Sequence, residues 1–290
     1  MRLDEIQIRD PFVLRDNGRY WLFGSTDPNI WTGPAIGFDT YWSTDLEHWA
    51  GPIAAFRPSL DFWSHTQYWA PEVHRHDDAY FMFATFAAPG RRRGTQVLRA
   101  DRPEGPYEPW SDGPLTPADW ECLDGTLHVE DGIPYLVFCR EWTDVGDGQI
   151  LAVELSDDLR TTVGQPTLLF RASEARWARS IPRPEFPQVY VTDGPWLHRT
   201  DDGRLLMLWS SFGDSGYASG VATSTTGRIA GPWMQAEHPL WAEDGGHGMI
   251  FRDEAGAPHF ALHMPNNTPD ERARFFALVE TPDGLALREA

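Results

Sequence analysis

Four acidic residues and one histidine recur along this chain at intervals of 52 to 69 residues: Asp10, Glu72, Asp124, Asp193 and His247. Each opens a short apolar run, as in Asp10-Pro11-Phe12-Val13, Asp124-Gly125-Thr126-Leu127 and His247-Gly248-Met249-Ile250. Carboxyl groups gathered from distant positions repel, and one of a crowded set holds its proton at neutral pH. A protonated carboxyl facing an ionised one is the pair that breaks a glycosidic bond. One protonates the leaving oxygen; the other activates water or attacks the anomeric carbon. A single Asp ahead of a strand is ordinarily a turn or cap residue, so it is the recurrence that makes these four a candidate site. His247 lies between glycines in Asp244-Gly245-Gly246-His247-Gly248. It reads either as a ligand of a central cation or its water shell, or as a satisfied histidine plugging a channel. One His without a carboxylate partner nearby in sequence does not make a zinc site.

The elements that must bring these residues together repeat as well. Each acid or His is followed by an apolar strand, a tight turn such as Asn17-Gly18, Asp77-Asp78 or Asp131-Gly132, and a second apolar-aromatic strand such as Trp21-Leu22-Phe23. Third strands follow at 38–43, 94–100, 149–155, 217–223 and 275–280, and Gly-Pro turns close three of the units at 51–52, 105–106 and 231–232. Strands broken at intervals by Asn-Gly and Asp-Gly hairpins make the chain all-β. Five units of this length predict a five-bladed β-propeller, one domain over residues 1–290, with the opening residues facing one another across the central funnel. The last unit is short, which leads to the expectation that residues 1–9 lend it a strand. Segments 24–37, 56–69, 171–192 and 264–274 fall outside the repeat and are expected to rim the funnel, where loops carry substrate contacts.

Composition narrows the function. A net charge of −19 argues against nucleic acid, whose phosphates need basic patches. The one basic run, Arg91-Arg92-Arg93, reads as a solvated hairpin tip. Lysine is absent, which excludes Schiff-base chemistry and a P-loop lysine. Cys122 and Cys139 are too few for a disulfide framework and are expected as buried thiols in a reducing compartment. No apolar run is long enough to span a membrane, and Met1-Arg2-Leu3-Asp4-Glu5 shows no apolar export signal, so a cytoplasmic location is expected. The 14 Trp and 16 Phe suit blade packing and sugar stacking alike. Trp31 and Trp69 are the candidate sugar platforms, with Trp63 and Tyr68 behind them; Glu72, Glu141, His65 and Arg140 are candidate hydroxyl-binding groups.

At these residues the chain resembles glycoside hydrolase family 43. Arg9-Asp10-Pro11-Phe12 is similar to the family's first-blade motif, Trp69-Ala70-Pro71-Glu72 to its second, Leu123-Asp124-Gly125 to its third, Thr192-Asp193-Gly194-Pro195 to its Glu-Gly-Pro fourth, and Gly246-His247-Gly248 to its fifth. The resemblance covers residues 5–280. It implies an inverting hydrolase in which Asp10 is the general base, Asp193 the general acid and Asp124 the residue that tunes and orients the acid. It further implies that His247 helps hold an ion or water in the axial channel. No cofactor is required for the chemistry, and a structural calcium ion in the central channel is the one ion to look for.

One departure matters: the family's acid is usually Glu, and the aligned residue here is Asp193, one methylene shorter. Three readings stay open. The backbone comes closer and Asp193 is the acid; another carboxylate, Glu72, Glu141 or Glu185, supplies the proton; or the propeller binds glycans without cleaving them. The expected substrate is an oligosaccharide or glycoside with a terminal furanosyl or pentosyl residue, cleaved in exo fashion. An α-L-arabinofuranosidase is the first reading, with β-xylosidase and galactofuranosidase as alternatives and a non-catalytic carbohydrate-binding propeller as the alternative of another class. Ser43-Thr44-Asp45…Trp49 faintly suggests a sialidase Asp-box, which the four acids disfavour. The protein is expected to be a monomer or a weak homo-oligomer.

Overall fold

The computed structural model describes residues 1–288 apart from residues 185 and 283. Among the described residues, five four-stranded antiparallel sheets follow one another in chain order, forming an all-β, five-bladed propeller. Blade 1 comprises β1 (Arg9–Asp16), β2 (Arg19–Ser25), β3 (Phe38–Ser43) and β4 (Ala50–Phe56). Blade 2 comprises β5 (Thr66–His76), β6 (Ala79–Ala88), β7 (Arg91–Ala100) and β8 (Glu108–Pro109). Blade 3 comprises β9 (Cys122–Glu130), β10 (Ile133–Arg140), β11 (Gln149–Leu155) and β12 (Thr162–Arg171). Blade 4 comprises β13 (Asp193–Arg199), β14 (Leu205–Gly213), β15 (Gly216–Ser224) and β16 (Trp233–Gln235). Blade 5 comprises β17 (Gly246–Arg252), β18 (Pro258–Met264), β19 (Arg272–Thr281) and β20 (Gly284–Leu287).

The hairpins sit where local chemistry places them. Asn17 and Gly18 both take positive φ, as do Asp131 and Gly132, the geometry whose twist matches a two-residue hairpin. Closure differs from expectation. All four strands of blade 5 come from the C-terminal segment, and residues 1–8 contribute a short 3-10 turn and two isolated bridges, Arg2 to His48 and Gln7 to Arg272. The four residues of β20 complete the sheet, so no borrowed strand is needed; Ile6 and Ile8 seal the seam by burial instead.

Aromatic packing holds the blades together. Phe38, Phe56, Phe62, Tyr68 and Phe86 form a cluster between blades 1 and 2, with Tyr68 and Phe86 centroids 4.9 Å apart. Each such ring is worth about 1.5–3 kcal/mol by burial. Tyr68 is therefore core, not a sugar contact. Cys122 and Cys139 are free and buried. Ser43 and Asp45 close the turn after β3 by accepting the backbone N–H groups of Leu46, Glu47 and His48, a structural role. One short helix, α1 (Trp142–Val145), follows β10, and no helix among the described residues is long and apolar enough to cross a membrane.

Candidate active site

Every inner strand opens on a β-bulge. Pairing skips between Arg9 and Phe12, Trp69 and Glu72, Leu123 and Thr126, Asp193 and Trp196, and Gly246 and Met249. The second residue of each bulge has positive φ: Asp10 at 54°, Ala70 at 46°, Asp124 at 56°, Gly194 at 54° and His247 at 51°. Side chains other than glycine rarely adopt this region, and a bulge re-aims what it carries. Here it turns Asp10, Asp124 and His247 toward one another, and that clustering holds the unfavourable backbone in place.

The bulges correct the sequence reading of four equivalent acids. Asp10, Asp124 and His247 share the second slot. Asp193 occupies the first, the place of Arg9, Trp69, Leu123 and Gly246, while Glu72 falls two residues after the second slot, with Phe12, Thr126, Trp196 and Met249. Glu72 consequently does not line the cavity; its Oε2 lies 3.2 Å from His74 Nε2, and both are largely buried.

A cavity of about 360 Å³ lies over the cluster. Asp10, Asp124, Asp193 and His247 line it, with Arg9 and Tyr217. Around them stand Trp31, Trp69, Glu141, Trp142, Arg183 and Asn266, so each of the four rim segments contributes. His65, Trp63 and Arg140 do not line it. Trp63 donates to Gln96 and packs under Arg91, and Arg140 pairs with Asp144 over Trp120. Glu185 lies outside the described residues.

Asp10 is built to be ionised. Its Oδ2 accepts the Ser25 hydroxyl at 2.7 Å, and its Oδ1 lies 3.2 Å from His247 Nδ1 and 3.6 Å from Arg9 Nε. Burial alone would raise its pKa, but His247, Arg9 and the Ser25 hydroxyl outweigh burial and hold it below the usual carboxylate range. Its backbone N–H donates to Nδ1 of the fully buried His263 at 3.2 Å. Nδ1 thus accepts, which leaves the proton on Nε2 to donate to Asn266 Oδ1 at 3.3 Å. Burial and the Arg9 charge keep this ring neutral, with its pKa lowered to about 3.

His247 is the opposite case. Its Nδ1 bridges Asp10 and Asp124 Oδ2, the latter at 3.6 Å, and its backbone N–H donates to Ser210 at 2.8 Å. Burial lowers its pKa, but Asp10, Asp124, Asp193 and Glu72 outweigh that and the net shift is upward. Calcium takes oxygen ligands. Among the described residues no group of three or more His, Cys, Asp or Glu is arranged to hold a metal ion. His247 thus stands as a counter-ion between two carboxylates.

Burial pushes both Asp124 and Asp193 above the ordinary range; His247 pulls each back down, and Asp193 further raises Asp124. Two buried carboxyls so coupled keep a shared proton toward neutral pH. Asp124 Oδ2 accepts the Gly194 N–H at 3.0 Å, which ties it to the strand carrying Asp193. Only glycine fits at 194, because a Cβ there would stand 2.8 Å from the His247 ring. Asp193 Oδ2 accepts the Tyr217 hydroxyl at 2.8 Å. Glu141 is held by a short contact with Arg93 and by Thr143 at 2.9 Å. Arg93 also lies over Trp69, so the third arginine of the run serves the site and only Arg91 and Arg92 form the exposed tip.

The walls suit a sugar. Trp31 is 45% exposed, meets Trp69 edge-on at 5.4 Å and lies beneath Arg9, and its Nε1 donates to Thr268. Sequence reasoning missed Tyr217, His263, Arg9, Ser25 and Trp142. Nothing in their spacing marks them; Arg9, Ser25 and His263 reach the site by cross-strand pairing, Arg9 with Ser25 and Gly246 with His263, while Tyr217 comes from β15 and Trp142 from α1.

The sequence profile described as "Glycosyl hydrolases family 43" matches residues 5–280. Among solved structures, an endo-arabinase from Bacteroides thetaiotaomicron VPI-5482 superposes with a TM-score of 0.90 at 39% identity, over 97% of this chain and 98% of that one. A beta-D-galactofuranosidase from Aspergillus niger is 23% identical over 88% of this chain and 73% of its own length. An alpha-L-arabinofuranosidase from Humicola insolens is 22% identical over 75% of this chain, which spans about half of it, 49%.

Proposed function

Because this chain belongs to glycosyl hydrolase family 43 and is a glycoside hydrolase, we propose that it cleaves terminal α-L-arabinofuranosyl residues from oligosaccharides with inversion. The observation carrying this reading is the division of labour on the cavity floor, where one carboxyl is pulled down and two are pushed up. Asp10, ionised and fixed by Ser25 and the neutral His263, takes a proton from the attacking water. Asp193, its pKa raised by burial and by the Glu141 charge, protonates the departing oxygen; Asp124, bonded to the Gly194 amide, orients that strand. His247 compensates the charge between base and tuning residue. Trp31 and Trp69 stack on the sugar. Glu141 is engaged by Arg93, which favours Asp193 over it as acid. No step passes through a calcium ion.

A cavity of about 360 Å³ is at the small end for ligand pockets and suits one terminal ring with part of its neighbour. The name of the 39%-identical neighbour, an endo-arabinase, favours a second reading, cleavage within an arabinan chain. Product analysis separates the two: exo action on arabino-oligosaccharides yields arabinose from the first minutes, internal cleavage a ladder of shorter oligosaccharides. Proton NMR of the first product checks inversion. Asp10→Asn should reduce kcat by about 10²–10⁴-fold with unchanged folding. Binding of arabinan with no cleavage of it and no turnover of any aryl furanoside or pyranoside would leave only the carbohydrate-binding propeller.

A further inference from the structure

We propose that Tyr217 is a positioning residue that allows an aspartate to serve as the proton donor of this site, an inference resting on Asp193 being the acid. Among the described residues Tyr217 is the single hydrogen-bond partner of the Asp193 carboxylate, at 2.8 Å. The phenol is buried, and its pKa is pushed well above the ordinary value by burial and by Asp193, so it donates throughout the working pH range. Its ring is clamped. It stacks on His263 with centroids 5.7 Å apart and planes 23° apart, meets Phe212 at 5.6 Å, and rests on Gly246, where a Cβ would come within 2.5 Å of it.

This clamp does two things. It occupies Asp193 Oδ2, so the transferable proton sits on Oδ1. It also ties the acid to the base, because the ring under Tyr217 is the same His263 that receives the Asp10 amide. A glutamate at 193 would carry its carboxyl beyond the phenol and leave a buried hydroxyl without a partner, which costs free energy. The short side chain and the tyrosine therefore form one unit.

The other charged groups facing Asp193 are Asp124, His247, Glu141 and Arg9; none of them reaches its carboxylate with a hydrogen bond. Because the phenol stabilises the ionised acid, Tyr217→Phe should move the alkaline limb of kcat/KM upward by about one pH unit. The plateau should fall about tenfold on phenyl α-L-arabinofuranoside, with KM little changed. On the 2,4-dinitrophenyl glycoside, whose phenol leaves without a proton, the loss should be small. A purely structural tyrosine would depress both substrates together and leave the limb in place, and that result overturns the proposal. Asp193→Ala tests the underlying reading separately. Loss on the phenyl glycoside with retention on the dinitrophenyl one supports the acid role, whereas equal loss removes it. Should Tyr217→Phe not fold, Asp193→Glu in the unaltered chain decides. Activity on the phenyl glycoside should fall, and a rise overturns the proposal.

Discussion

Replacing His247 with glutamine removes the positive charge that stands 3.2 Å from Asp10 and 3.6 Å from Asp124 while keeping a polar side chain of similar length. Coulomb's law at an effective dielectric of about 20 gives roughly 5 kcal/mol for unit charges 3.2 Å apart. Much of this is offset by the cost of burying the imidazolium, and a carboxylate beside a cation typically shifts by about 1–3 pKa units. Asp10 keeps Arg9 and the Ser25 hydroxyl, so a rise of about 1–2 units, roughly 1.4–2.7 kcal/mol, is expected for it. The assay is the pH dependence of kcat/KM on an aryl α-L-arabinofuranoside. The acid limb reports ionisation of the base, so it should move toward neutral pH by that amount. Asp193, the acid, loses the downward pull of the same cation, so the alkaline limb should also move up. Thermal unfolding controls for the positive φ at residue 247, a region histidine tolerates better than glutamine. A folded variant whose acid limb stays within about 0.3 units of the parent would refute the idea that His247 sets the ionisation of Asp10.

Other outcomes follow from the same geometry. Gly194→Ala places a Cβ 2.8 Å from the His247 ring at φ 54° and should cost about 1–3 kcal/mol in chemical denaturation, with loss of activity. His263 should stay neutral at pH 5 as the Nε2–H tautomer, and nitrogen-15 NMR showing it titrating near 6.5 would remove its assigned role. Trp31→Ala and Trp69→Ala should each raise KM about 3–10-fold with smaller effects on kcat, measured by steady-state kinetics on arabino-oligosaccharides.

Much of the architecture was legible in one dimension because its causes are local. Asn17-Gly18 and Asp131-Gly132 name their own turns, and the return of an acid or histidine before each apolar run marks the inner strands. Asp10, Asp124, Asp193 and His247 could be picked out for the same reason, as could Trp31, Trp69 and Glu141 on the rim. The equivalence of the four acids was not legible. A bulge inserts a residue and reverses which face a side chain takes, so Glu72 and Asp193, each displaced from the slot of Asp10, end in different places.

Residue order along the chain thus determined the blades, their hairpins and the identity of the acids, since each depends on neighbours within a few positions. Tertiary packing decided the rest. Strand pairing within blade 4 placed Tyr217 on Asp193, the packing of blade 2 on blade 3 drew Arg93 to Glu141, and ring closure seated His263 behind Asp10 and set His247 beside it as a cation between two carboxylates. Proton affinities in the cavity follow from burial and from charges a few ångströms away, and those distances exist only once blades 1 and 5 meet.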